Sequence, residues 1–162
     1  MCIWKYIYLF SGIILVTNCL AQSKPFDLPP GVIVDQLSIE TGIYIGSPSI
    51  CILPNGDYLA SHDEFGPKTT EFYSAITRIY ISSDCGISWC YLSSIQDQFW
   101  SGLFVNNNVL YIMGTNKHHG NFIIRKSMDN GKTWTIPYSK ETGLLIKGEY
   151  HTAPVPILIH KG

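Results

Sequence analysis

The sequence predicts an all-β fold built from a repeated four-stranded antiparallel unit, and three observations carry that expectation. The octapeptide SSDCGISW over 82–89 returns as SMDNGKTW over 127–134, with Ser, Asp, Gly and Trp at matching places and an offset of 45 residues. Short runs of β-branched and aromatic residues alternate with turn chemistry, and almost nothing follows the period of a helix. The order of runs and turns before Asp97 is repeated after it.

Residues 1–21 carry one charge, Lys5, then an apolar run from Tyr6 to Val16 and a small-residue stretch ending at Ala21. This pattern reads as a secretory signal peptide cleaved after Ala21, which makes the chain secreted or periplasmic. Ser11, Thr17 and Asn18 interrupt the run before it reaches the roughly 20 apolar residues of a membrane span. Asn18 stands where lipidation of Cys19 would want a small residue. From Gln22 about 141 residues remain, enough for one modest domain or part of a larger one. Residues 22–41 read as a lead-in segment. The net charge of −1, with no cluster of Lys or Arg, leaves no electrostatic footprint for nucleic acid. Cys51, Cys85 and Cys90 lack CxxC spacing and paired His ligands, so no metal or cofactor is expected. They read as thiols, with a Cys85–Cys90 bridge across a turn as the alternative.

Strand signals come at 45–53, 58–62, 76–82 and 89–95, with Asn55-Gly56 as the strongest hairpin turn. The same order follows at 99–105, 109–115, 122–128 and 133–139, and a third unit opens over 150–160. A four-stranded unit recurring every 40 to 50 residues is the mark of a β-propeller blade. The expected blades are 42–95 and 98–140, with a third beginning at 149–162, so the chain reads as the N-terminal part of a longer protein. The octapeptide then falls between the third and fourth strands. Its Ser and Asp can bond turn backbone groups, its Gly can take φ > 0, and its Trp can bury a large ring. That is a structural staple.

At Ser82, Asp84, Gly86 and Trp89, and at Ser127, Asp129, Gly131, Thr133 and Trp134, the chain resembles the Asp-box, or BNR-repeat, proteins of the sialidase (neuraminidase) superfamily, whose pattern is S-x-D-x-G-x-T-W. The second box matches throughout; the first has Ser88 where the pattern has Thr. The resemblance runs from about Gly42 to the end and implies a sialidase-like, six-bladed β-propeller, present here as two blades and the first strand of a third. It also implies an exo-acting glycoside hydrolase whose partners are a glycan or glycoconjugate and the remaining blades. Fold does not fix function, so a non-catalytic propeller that binds glycan or protein stays open beside it.

In up-and-down blades, alternate turns share a face. Both boxes therefore lie on one face, and His62, Asp63, Glu64, Glu71, Trp100, His118, His119, Glu149, Tyr150 and His151 are expected on the other. The equivalent hairpin turns at Asn55 and Asn107 are 52 residues apart and the boxes 45, so the loop after the second strand is about seven residues longer in the first blade. An enlarged loop on one face is a functional hint. Trp100 would stack on a sugar or fill the gap between blades, and His118 with His119 would be solvated, since no third ligand is spaced to join them on a metal. Asp63 would be a general acid, a ligand-orienting group or a turn cap. The resemblance adds Glu71, eleven residues before Ser82, at the family's acid/base position. His62, Trp100, His118 and His151 are then the expected substrate-binding residues, and Glu71 with Asp63 the catalytic ones. Two departures stand against sialic acid as the substrate: Gly46 and Phe65 occupy the places of family arginines that grip its carboxylate.

Overall fold

A computed structural model of the chain describes residues 30–66 and 75–160. The expected signal peptide, the first part of the lead-in and Glu71 lie outside those residues. Two four-stranded antiparallel sheets follow one another along the chain, each with its strands in sequence order. The first holds β1 (Tyr44–Ile52), β2 (Tyr58–Phe65), β3 (Ile76–Ser82) and β4 (Cys90–Ile95). The second holds β5 (Phe99–Asn106), β6 (Val109–Thr115), β7 (Gly120–Ser127) and β8 (Leu144–Tyr150). The fold is all-β, with the arrangement of adjacent propeller blades. Turn chemistry sets the hairpins. Asn107 and Asn108, at φ 48° and 63°, make the doubly left-handed turn that matches strand twist, and Gly56 at φ 91° closes the turn after β1.

Leu59, Ile79 and Ile95 of the first sheet meet Leu103, Leu110 and Ile112 of the second in one core, with Cys51, Ile81 and Leu92 packed against it. Side chains alternate along a strand, so the opposite face of the second sheet carries Phe104, Tyr111, Met113 and Phe122. Phe104 and Tyr111 stack at 5.3 Å, and all four are only half-buried. A sheet with one solvated face would put polar residues there; this one is apolar on both. Thr115, on that same outward face, is fully buried, and its Oγ1 has no hydrogen-bond partner among the described residues.

The fourth strand of the second sheet differs from the expectation. Thr135 does donate to Lys126 O at 3.0 Å, beside β7, but the ladder stops there. Pro137 has no N–H to continue it, and the chain passes through a 3₁₀ turn at Lys140–Thr142 before β8 takes over the edge of β7. Gly143 makes the re-entry possible. It sits at φ 113° with its carbonyl accepting from Ile124 N at 2.8 Å, and a Cβ there would lie 1.9 Å from Ile124 O.

The two boxes have the same internal bonding. Ser82 Oγ donates to Asp84 Oδ1 at 2.7 Å and accepts from Gly86 N at 2.8 Å; Ser127 does the same with Asp129 and Gly131, at 2.8 Å in each case. Each carboxylate also takes the N–H and hydroxyl of Ser88 or Thr133, and each indole N–H closes on the box glycine carbonyl. Hydrogen bonds from Ser88 and Thr133 hold Asp84 and Asp129 down to a pKa of about 2. Gly131 lies against Leu59 and Leu110, and its carbonyl accepts from Ser93 Oγ at 2.5 Å, so the second box also ties the sheets together. Asp129→Ala should therefore cost about 1 to 3 kcal/mol in a denaturant titration while leaving ligand affinity intact. A variant of unchanged stability that lost binding would reverse the assignment. Cys51, Cys85 and Cys90 are free thiols. Cys85 and Cys90 are exposed, whereas burial pushes the Cys51 thiol up to about 12.

Candidate functional site

At the end of the sheets away from the boxes, one buried carboxylate organises the surroundings. Asp63 is 1% exposed. It accepts from Thr77 Oγ1 at 2.5 Å and from Trp100 N at 2.7 Å, and it bonds the side chain of Ser47. Ser47 is reachable because the β1–β2 register breaks between Gly46 and Ser49, leaving Ser47 at φ 55°. Burial raises the Asp63 pKa to about 6, against the lowering pull of those hydrogen bonds.

Asp63 holds Trp100 in place. Trp100 sits at φ 45°, a left-handed conformation that costs a bulky residue on the order of 1–3 kcal/mol. The β5–β6 register breaks beside it, its N–H is bound by Asp63, and its carbonyl accepts from Thr152 Oγ1 at 2.9 Å. The conformation brings the indole among rings from three chain segments. Phe99 stacks on it at 5.4 Å, His151 lies 4.4 Å away and His118 6.1 Å. His118 and His119 stack at 4.4 Å, and His151 lies 5.0 Å from the first and 5.6 Å from the second. His151 Nδ1 is 3.1 Å from the His118 carbonyl. The loop that presents the pair is fixed by Asn116, whose side chain accepts from Asn121 N at 2.7 Å. Among the described residues, no group of three or more His, Cys, Asp or Glu is arranged to hold a metal.

His62 precedes Asp63 on β2 and so points to the opposite face of the first sheet. Its Nε2 lies 2.8 Å from Asp35 Oδ2, which also accepts from Tyr80 OH at 2.7 Å, and the His62 and Tyr80 rings stack at 5.4 Å. Burial would raise the Asp35 pKa, but the hydrogen bonds from Tyr80 and His62 outweigh that and hold it below its ordinary value. The sequence reading missed Asp35 and Tyr80. Phe65 lies over Gly46, where a Cβ would come within 2.9 Å of the ring. Gly46 and Phe65 thus pair as an aromatic ring on a glycine.

The structure brings Trp100, His118 and His151 together, uses Asp63 to hold Trp100, and sets His62 apart with Asp35. The cluster offers ring faces for stacking and imidazole groups for hydrogen bonding. The fold is that of two propeller blades, with an aromatic and histidine cluster at the end away from the boxes. No protein-family model matches the chain, and no curated protein matches it. Among solved structures it is similar to an alpha-L-arabinanase of Penicillium chrysogenum complexed with arabinobiose, with 24% identity and a TM-score of 0.43. The match covers 54% of this chain and 29% of that one, so the chain spans less than a third of its length.

Proposed function

We propose that these are two blades of a larger, secreted, sialidase-like Asp-box propeller that acts on glycans as an exo-acting glycoside hydrolase or close relative. The observation that carries the reading is the convergence of Trp100, His118, His119 and His151 at the end of the sheets away from the boxes, with Trp100 held strained by Asp63. Strain of that kind gathers at ligand sites, and stacked rings with imidazole donors suit the apolar faces and hydroxyls of sugars. Further blades cover the outward apolar face of Phe104, Tyr111, Met113 and Phe122. Glu71 supplies the proton transfer. Its connection leaves β2 at Phe65, whose ring meets Phe99 edge-on at 5.8 Å beside the cluster. Among the described residues no helix is long and apolar enough to cross a membrane.

Glu71→Gln in the full-length protein should lower turnover of aryl glycosides by roughly 100- to 10,000-fold, most for poor leaving groups, with the melt unchanged. Unchanged turnover on an active enzyme would end the role of Glu71. Glycan binding weakened by Trp100→Ala, without turnover of any glycoside, would point to the non-catalytic propeller instead.

A further inference from the structure

The rings at Trp100 continue beyond the cluster. Phe99 stacks on Trp100 at 5.4 Å, Phe65 meets Phe99 edge-on at 5.8 Å, and Tyr44 stacks on Phe65 at 5.8 Å with the ring planes 14° apart. The row thus passes from the second sheet to the first. Tyr44 of β1 pairs with Phe65 of β2, and Gly46 with Asp63, so strand alternation puts Tyr44, Phe65 and Asp63 on one face, the one turned towards the second sheet. Phe99 is 3% exposed and forms the floor of the row, whereas Tyr44 is 67% exposed. A lone exposed ring on a surface needs no explanation; one that prolongs a site does.

We propose that Tyr44 is a second stacking platform of the Trp100 site, and that the ligand is an oligosaccharide lying across both platforms rather than a single sugar; this deepens the glycan reading and rests on it. Flat aromatic faces suit the C–H faces of successive sugar rings, and an open row serves a chain as an enclosed pocket serves one unit. The platforms are set before a ligand arrives. Asp63 lies two residues before Phe65 on β2 and accepts from Trp100 N at 2.7 Å, so one strand carries both the anchor of the indole and the ring that supports Tyr44. Gly46 lets Phe65 lie against β1, since a Cβ there would come within 2.9 Å of the ring. A ligand that meets preset rings loses little affinity to ordering them.

The two ends of the row differ. Trp100 stands among Phe99, His118 and His151, rings of three chain segments, while Tyr44 is largely in solvent. The terminal sugar therefore sits at Trp100, and the rest of the chain leaves over Tyr44.

The test is calorimetric titration of the full-length protein with matched mono-, di-, tri- and tetrasaccharides of arabinose, galactose, glucose and xylose, and with sialic acid beside sialyllactose. In the series that binds, a longer member should bind about three- to tenfold more tightly than the monosaccharide, the worth of one aromatic stack. Tyr44→Ala should abolish that gain and Tyr44→Phe should keep it, because the ring and not the hydroxyl makes the platform; Trp100→Ala should weaken every member. A gain with length that survives Tyr44→Ala would overturn Tyr44 as the platform. Equal binding of the monosaccharide and its longer members would overturn the oligosaccharide class and leave the glycan reading standing. Failure of every sugar to bind would overturn both.

Discussion

Asp63→Ala should destabilise the protein by about 2 to 4 kcal/mol and release Trp100 from its left-handed conformation. The substitution strips three hydrogen bonds from a buried position and leaves the Trp100 N–H without its acceptor; bonds to a charged group are worth about 1.5–3 kcal/mol each. Relief of a buried charge offsets part of that loss. Burial raises this pKa from 3.8 to about 6, a balance that already includes the lowering pull of the three bonds. The same shift fixes a pH dependence. The folded state holds this proton more tightly than the unfolded chain does. The Asp63 contribution is therefore fully present below about pH 4 and is lost as pH rises through about 6. Asp84 and Asp129 act the other way, since their depressed pKa values contribute stability above pH 4 that is lost on acidification towards 2. Stability should peak in the mildly acidic range. Guanidinium titrations at pH 4.5 and 7.5 check this, and Asp63→Asn, which keeps the shape without the charge, should flatten the difference. An equal difference in wild type and Asp63→Asn would remove Asp63 as its source.

Gly143→Ala should cost about 3 to 5 kcal/mol and detach β8. At φ 113° any Cβ is strained by about 1–3 kcal/mol, and here it also enters the Ile124 carbonyl, so the Ile124–Gly143 hydrogen bond must break too. Gly56→Ala is the control. Its φ of 91° is also left-handed, but nothing lies within 4 Å of its Cβ, so its cost should stay near about 1 kcal/mol. Similar losses in both variants would mean that close approach at Gly143 contributes nothing.

What was legible in the sequence was local. The boxes could be read from eight residues because Ser, Asp, Gly and Trp bond within their own turn, and the hairpins could be read because Asn and Gly tolerate positive φ. Turn parity was enough to bring His118 and His151 to one end with Trp100. The last strand was misplaced because TWTIPYS has β-branched and aromatic content, while the missing donor of Pro137 outweighs it. Asp35 and Tyr80 were illegible for a different reason. They lie 45 residues apart and meet only through His62 on a folded sheet, so no spacing announces them. Asp63 read equally well as an acid, an orienting group or a cap, and what separates these is burial, which depends on the second sheet.

Counting from the hairpin turns, Thr115 occupies in the second sheet the place that Asp63 holds in the first. The first repeat puts an ionisable group where it reaches the start of the next; the second puts a hydroxyl there, equally buried. The seams between successive repeats are thus chemically unequal. A shift from acid to neutral surroundings burdens the joint spanned by Asp63, while Thr115, which has no charge to gain, leaves its own joint indifferent. The repeats share a scaffold, and of these two equivalent buried positions it is the one at Asp63 that responds to such a shift.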